Sequence, residues 1–285
     1  MTALSPPRRE NRLRLVVRDW RGVAALGYLV LVAGLALLAP LVTAHEPNAQ
    51  NFDAVLAPAG TPGYLLGADD LGRDVLSRLV HGARASMLAS FLAVGVALLV
   101  GVPLGLAAGC LGRIVDSAVM RVVDTLLSFP AIILAIAITA ALRPSLVNSM
   151  ISVGIVFAPS VARLMRAQVL AVREETYVEA ARSFGSRGRH LVLRHLVPNS
   201  VQPVLVQSGL LLAHALIAEA SLSFLGLGVQ PPDPSWGAML ARAYTFLHQA
   251  PLQVLVPGLA IAATALAFNV LGDVAQRALD PRRHP

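Results

Sequence analysis

Met87-Leu-Ala-Ser-Phe-Leu-Ala-Val-Gly-Val-Ala-Leu-Leu-Val-Gly-Val-Pro-Leu-Gly-Leu-Ala-Ala-Gly-Cys-Leu111 runs for 25 residues without a charge. As a helix it would be roughly 37 Å long, more than the ~30 Å hydrocarbon core of a bilayer. In lipid a backbone must satisfy its own hydrogen bonds, so such a stretch is helical unless it alternates like a barrel strand. It does not alternate. Five further apolar stretches flank it, over Gly22–Ala44, Ala118–Leu142, Leu146–Leu164, Ser200–Glu219 and Leu252–Gly272. The expected fold is therefore an all-α polytopic membrane protein with six transmembrane helices.

Composition agrees. Of 285 residues 56% are hydrophobic and only 14% charged, against about 25% charged in soluble domains. Disorder, a disulfide-stapled module and a coiled coil are excluded, and the single cysteine, Cys110, cannot form an internal disulfide. All 23 basic residues are arginine. Without a lysine the chain cannot build the Gly-x-x-x-x-Gly-Lys phosphate loop, nor a Schiff base. If ATP drives its function, another polypeptide binds the nucleotide.

The arginines also orient the chain, because cytoplasmic segments retain excess positive charge. With six spans and the N-terminus inside, eighteen arginines fall on inner segments and five, Arg73, Arg78, Arg84, Arg143 and Arg242, on outer ones. Both termini are expected in the cytoplasm. The first span could be read as a cleaved signal peptide ending at Val42-Thr-Ala44, but its apolar run exceeds the 7–15 residues of a signal core.

Prolines interrupt the spans at Pro103, Pro130, Pro159 and Pro257. Gly101, Gly105 and Gly109 recur every four residues on one helix face, which suits close approach of another helix; a moving hinge is the alternative. Polar residues at membrane depth are few: Asp124, Asn148, His214, Glu219, Asn269 and Asp273. The three acids lie near span ends, where capping or pairing with Arg121 or Arg277 is expected. His214 and Glu219 are the candidate translocation-path or gate residues. No cluster has metal-ligand spacing, and no nucleophile has a base beside it.

The stretch Arg163–Pro198 is too patterned for a turn. Thr176-Tyr-Val-Glu179 has the capping-box spacing, Ala180 to Phe184 continue a helix, and Gly185 is a natural left-handed stop. A second amphipathic piece follows, with Leu191, Val192 and Leu196 on its apolar side, and Pro198 opens the fifth span. The two alanines, Ala180 and Ala181, would let this short helix lie close against a partner.

Glu179-Ala-Ala-x-x-x-Gly185, with Pro198 thirteen residues beyond, resembles the EAA motif of ABC importer permeases. His195-Leu-Val-Pro198-Asn199, Gly67-Ala-Asp-Asp-Leu-Gly-Arg-Asp74, Val123-Asp-Thr-Leu-Leu-Ser-Phe-Pro130, Pro234-Ser-Trp-Gly237 and Leu279-Asp-Pro-Arg282 resemble one branch, the C-type transmembrane subunit of the dipeptide/oligopeptide/nickel family. The resemblance implies a cytoplasmic coupling helix in an EAA loop at about 173–198, docking through Glu179, Ala180, Ala181, Gly185 and Pro198 onto an ATP-binding subunit. It also implies a cytoplasmic tail over 1–21, a first span and external loop over 22–86, a five-helix permease core over 87–274 and a second tail over 275–285. The implied partners are a second permease subunit forming a heterodimer, two ATP-binding subunits, an extracytoplasmic solute-binding protein and the lipid bilayer, with no nucleic acid. No cofactor is expected on this chain, and ATP and Mg belong on the ATPase partners. Arg187-Gly-Arg189 is more basic than the family pattern after the motif glycine.

In the outer segments Asp74 is expected to begin a short amphipathic helix lying along the interface, with Asp69, Asp70 and Asp74 as solvated carboxylates. Trp236 is expected to be an interfacial anchor, and Gly226 and Gly228 to permit a re-entrant turn. The resulting reading is a multi-pass permease subunit of the bacterial or archaeal cytoplasmic membrane, importing di- or oligopeptides with energy from ATP and without an active site of its own. Nickel chelates or glutathione are alternative cargoes. An ATP-independent carrier would instead want paired charges at discontinuous helices, and none is apparent.

Overall fold

A computed structural model describes residues 19–186 and 188–279. The Asp19 carboxylate accepts from the Arg21 amide and starts α1, Trp20–Leu37. After a single turn, Ala39–Val42, the chain winds through tight turns to Asp74. Both Asp74 carboxylate oxygens are used there, accepting from the Leu76 and Ser77 amides. That cap begins α2, Val75–Cys110, a 36-residue helix.

The sequence predicted an interfacial helix from Asp74 and a separate span from Met87; the structure joins them. Nothing between Val75 and Met87 breaks a helix, and Ser77, Arg78 and Ser86 find buried partners rather than water. The expected third span, Ala118–Leu142, is corrected in the opposite sense. It divides into α3, Arg113–Leu127, and α4, Ala131–Leu142, with a 95° bend between them. Pro130 cannot donate to the turn before it, and the Thr125 and Ser128 hydroxyls bond to the Arg121 and Thr125 carbonyls.

Ser145 caps α5, Leu146–Arg173, which leads through two residues into α6, Thr176–Ser183. A helical turn at Gly188–Leu191 and a wide π turn at Val192–Leu196 feed α7, Val197–Phe224. The π turn ends just before Pro198, whose ring would crowd the Arg194 carbonyl in a regular helix. The chain closes with α8, Trp236–Tyr244, and α9, Pro251–Leu279. Among the described residues α1, α2, α5, the α7 helix with its lead-in, and α9 are long and apolar enough to cross a membrane; α3 and α4 make a sixth if the bent pair is one span. The tail segments 1–18 and 280–285, including most of the Leu279-Asp-Pro-Arg282 motif, and Arg187 lie outside the described residues.

The α2–α5 pairing is the most extensive in the molecule. Gly101, Gly105 and Gly109 make it possible: a Cβ on Gly101 would sit 2.6 Å from the Ala158 carbonyl, on Gly105 2.6 Å from Met165 Cβ, and on Gly109 2.6 Å from Val169 Cγ1. Gly154 of α5 reciprocates against Ala93 and Val96. The glycine face is thus a packing face, and Val161, Ala162, Met165 and Val169 fill it. Two ends can be distinguished. Residues 45–74 and 225–250 gather around the start of α2, while the start of α1, the end of α9 and the α5–α6 junction lie at the other end.

Replacing Gly105 with Leu should separate α2 from α5 and lower the thermal midpoint in detergent, at a cost of about 1–3 kcal/mol or more. Gly95, where a Cβ would meet nothing within 4 Å, should accept Ala without loss. Equal midpoints for the two variants would contradict the packing assignment.

Candidate functional site

At the end bearing the α5–α6 junction, one side of α6 is anchored and the other is bare. Val178 is completely buried against the core, and Ala181 is half-buried beside it. Glu179 and Ala180 are exposed, and Phe184 is 92% exposed at the end of the helix. Ala181 therefore departs from the expectation that both alanines face outward. So does the capping box: Glu175 is the N-cap and Thr176 already lies inside the helix, so no side chain caps α6. Its far end matches expectation. Gly185 has φ +88, the Gly185 amide donates to the Arg182 carbonyl and the Ser186 amide to that of Ala181, closing a Schellman motif. Burial and the neighbouring Glu175 charge both raise the Tyr177 phenol above its ordinary value.

The base of α6 is stapled to the bundle. Arg173 donates to the Gly109 carbonyl at 2.7 Å, tying the end of α5 to the end of α2. Arg166 is paired with Asp116, and Arg163 with Asp124 at 2.5 Å, fastening α3 to α5. Asp124 thus takes Arg163 rather than Arg121, and Arg277 lies 3.7 Å from Asp19 rather than serving Asp273. On the lead-in to α7, Pro198 is exposed and lines an open cleft of about 660 Å³ with Arg189, His190, Leu193 and Arg194. Leu191 and Leu196 are buried, as the amphipathic pattern required.

At the opposite end the structure builds a polar clamp that the sequence did not suggest. Glu219 is fully buried rather than near water. Its carboxylate accepts from the Ser86 hydroxyl of α2 at 3.1 Å and from the Ser223 hydroxyl at 2.7 Å, and Ser235 brings a third hydroxyl. The Trp236 amide donates to Ser86 Oγ and its indole to the Leu79 carbonyl at 2.9 Å. Trp236, 2% exposed, is a core residue that seats α8, not an interfacial anchor. Close approach makes this possible: a Cβ on Gly237 would meet Ala220 Cα at 2.7 Å. His214 lies on the outward side of α7, its Nδ1 2.8 Å from the Leu210 carbonyl, so the two candidate path residues are not brought together.

A network of ions encloses the same end. Asp69 pairs with Arg73, and Asp70 receives Arg242 Nε at 2.6 Å. That bond holds the Arg242 guanidinium above its ordinary value. Arg78 donates to the Pro47 carbonyl, Asn48 Oδ1 and the Pro232 carbonyl. The three acids expected to be solvated are therefore structural. Two signals were available in the sequence: Ser223 follows Glu219 by one helical turn, and Ser86 and Ser90 bracket the start of the uncharged run at Met87. Among the described residues no group of three His, Cys, Asp or Glu side chains could hold a metal ion.

Residues 101–285 match the family model of the binding-protein-dependent transport system inner membrane component. The chain is 41% identical to the di/tripeptide transport system permease protein DppC of Pseudomonas aeruginosa over 91% of its own length and 88% of the relative's. It is 40% identical to the dipeptide transport system permease protein DppC of Alkalihalophilus pseudofirmus, over 99% and 91%. It is 38% identical to the glutathione transport system permease protein GsiD of Pectobacterium atrosepticum, over 99% and 96%. A chain from an inward-facing structure of the MetNI methionine ABC transporter superposes with a TM-score of 0.59 at 19% identity, covering 71% of this chain and 97% of the other. That last likeness concerns the fold.

Glu219→Leu should strand the Ser86 and Ser223 hydroxyls in the core, at about 1–3 kcal/mol for each group left unsatisfied. Glu219→Gln, which keeps an acceptor, should cost less. We expect the Leu variant to melt earlier in detergent and to be cut faster by trypsin at Arg242; an unchanged cleavage rate would show that the clamp does not hold α8.

Proposed function

The chain belongs to the binding-protein-dependent transport system inner membrane component family and is a permease subunit of an ABC importer; from that premise we propose that it imports di- or oligopeptides, with α6 as the coupling helix. One observation carries the coupling assignment: α6 is anchored on one side through Val178 and presents Glu179, Ala180 and an almost fully exposed Phe184 on the other. A bare aromatic on a short, firmly based helix is suited to a socket on another protein. The basic cleft beside Pro198 extends that surface toward α7.

The proposed assembly pairs this chain with a second permease subunit, two ATP-binding subunits on the α6 side and an extracytoplasmic solute-binding protein at the other end. ATP and Mg reside on the ATPase partners, since this sequence has no lysine for a phosphate loop. The excess of arginine on the α6 side supports placing that end, with both termini, in the cytoplasm of a bacterial or archaeal cell. Closure of the ATP-binding subunits would move α6. Because α6 continues from α5, and α5 is locked to α2 by glycine contacts and Arg173, the displacement would pass to the bundle as a rigid-body motion. Glu219 then serves the path indirectly, by holding α8 over its outer end. Peptide cargo is supported by the dipeptide permease relatives, and the GsiD relative supports glutathione as a second reading. Uptake of labelled dipeptide competed by glutathione decides between them.

Gly185→Val should abolish uptake while the chain stays in the membrane, because valine disfavours φ +88 at the helix stop. Ala180→Trp should abolish co-purification of the ATP-binding subunits, read by mass spectrometry of the tagged complex. Normal uptake in the first variant, or intact assembly in the second, would contradict the coupling role.

A further inference from the structure

Inside the ion network four segments close around a cavity of about 30 Å³: the turns over 45–74, the start of α2, α8 and the start of α9. Asp69, Asp70, Arg73, Arg78, Arg242 and Gln253 supply its polar lining. A buried water needs roughly 10–15 Å³, so the space takes about two waters or one small anion.

Positive charge exceeds negative in this lining. Three guanidiniums stand against two carboxylates, a surplus of one. Asp74 does not line the cavity: its oxygens accept from the Leu76 and Ser77 amides, and one of them lies 3.8 Å from His45 Nδ1. Arg73 is 3% exposed and Arg78 6%, so bulk counter-ions screen neither.

Donors exceed acceptors as well. Asp69 Oδ1 accepts from the Leu71 and Arg73 amides, its Oδ2 from Arg73 Nε, and Asp70 Oδ1 from Arg242 Nε. Gln253 turns its Nε2 to the Ala68 carbonyl. Arg78 gives Nη1 to three oxygens, while its Nη2 makes no hydrogen bond among the described residues. Nη1 of Arg73 and both Nη atoms of Arg242 make none there either. Val75 opens α2 and Gln253 lies in the first turn of α9, so two positive helix ends meet the cavity against one negative end, that of α8. Water satisfies free N–H groups but not a surplus charge; a monovalent anion satisfies both.

We infer that a chloride ion binds in this cavity between Arg73, Arg78 and Arg242. It fastens the turns over 45–74, α2, α8 and α9 to one another.

The test uses the complete transporter in mild detergent at constant ionic strength, with gluconate exchanged stepwise for chloride. Trypsin cleavage at Arg242, followed by mass spectrometry of the peptides, reports release of α8 from the cluster. At ten times its dissociation constant chloride should slow that cleavage roughly tenfold, because it binds the closed form alone. Asp70→Asn, which keeps an acceptor for Arg242 and raises the surplus charge, should need several-fold less chloride for the same effect. Met239→Glu, which places a carboxylate on the α8 wall of the cavity, should give slow cleavage that chloride no longer changes. In crystals soaked with bromide, an anomalous peak should lie within hydrogen-bonding distance of Arg78 Nη2. Wild-type cleavage indifferent to chloride would overturn the site, as would an Asp70→Asn variant that needs more chloride than wild type. Bromide peaks confined to the exposed surface would show an adventitious ion only and would overturn it equally. Should Met239→Glu fail to assemble, Asp70→Asn and the bromide peak still decide.

Discussion

Everything else in the molecule hangs on the contact of two helix backbones. At Gly101, Gly105 and Gly109 the α2 chain comes so close to Ala158–Val169 of α5 that no side chain fits between. In lipid, helices gain little from hiding apolar surface from one another, because the solvent is itself apolar. Close dispersion contact has to supply the cohesion, and glycine at every fourth position supplies the proximity. The long apolar residues of the same helices, such as Leu92, Leu99 and Leu104, are left on exposed faces.

From that contact the two ends of the molecule acquire different characters. At one end, Arg173 extends the α2–α5 lock to the last carbonyls of α2, and α6 begins three residues later. A push on α6 therefore meets a pair of helices and not a loose loop. At the other end the same α2 contributes Ser77, Arg78 and Ser86 to hold His45, Pro47, Pro232, Glu219 and Trp236 in one polar cluster. One long helix thus braces both the base of α6 and the polar cluster at the far end. Burying Glu219 is tolerated because hydroxyls from three segments meet it.

Much of this was legible in the sequence, for identifiable reasons. Apolar length reveals a span regardless of its partners, so the helices around Met87–Leu111, Leu146–Leu164, Ser200–Glu219 and Leu252–Gly272 all appear, each longer than its apolar stretch. The ends were short because a charge such as Arg78 or Arg173 reads as water when it is in fact paired with carbonyls. The division of α3 from α4 was missed because a continuous apolar run conceals a 95° bend, although Pro130 marked its place. Gly185 was legible since a left-handed stop depends on local backbone alone. The clamp was not: Ser86, Glu219 and Trp236 are more than 100 residues apart at their extremes, and only tertiary packing unites them. Phe184 escaped notice because exposure of an aromatic cannot be read from its neighbours.

The most direct test of the account is site-specific cross-linking at Phe184. In a Cys110→Ala background, Phe184→Cys should couple through a short thiol cross-linker to an ATP-binding subunit in membrane vesicles, and the yield should change when ATP and Mg are added. Pro58→Cys, in the loop at the other end, should give no such product. Failure of Phe184→Cys to reach any ATP-binding subunit in an actively transporting complex would contradict the assignment of α6 as the coupling helix.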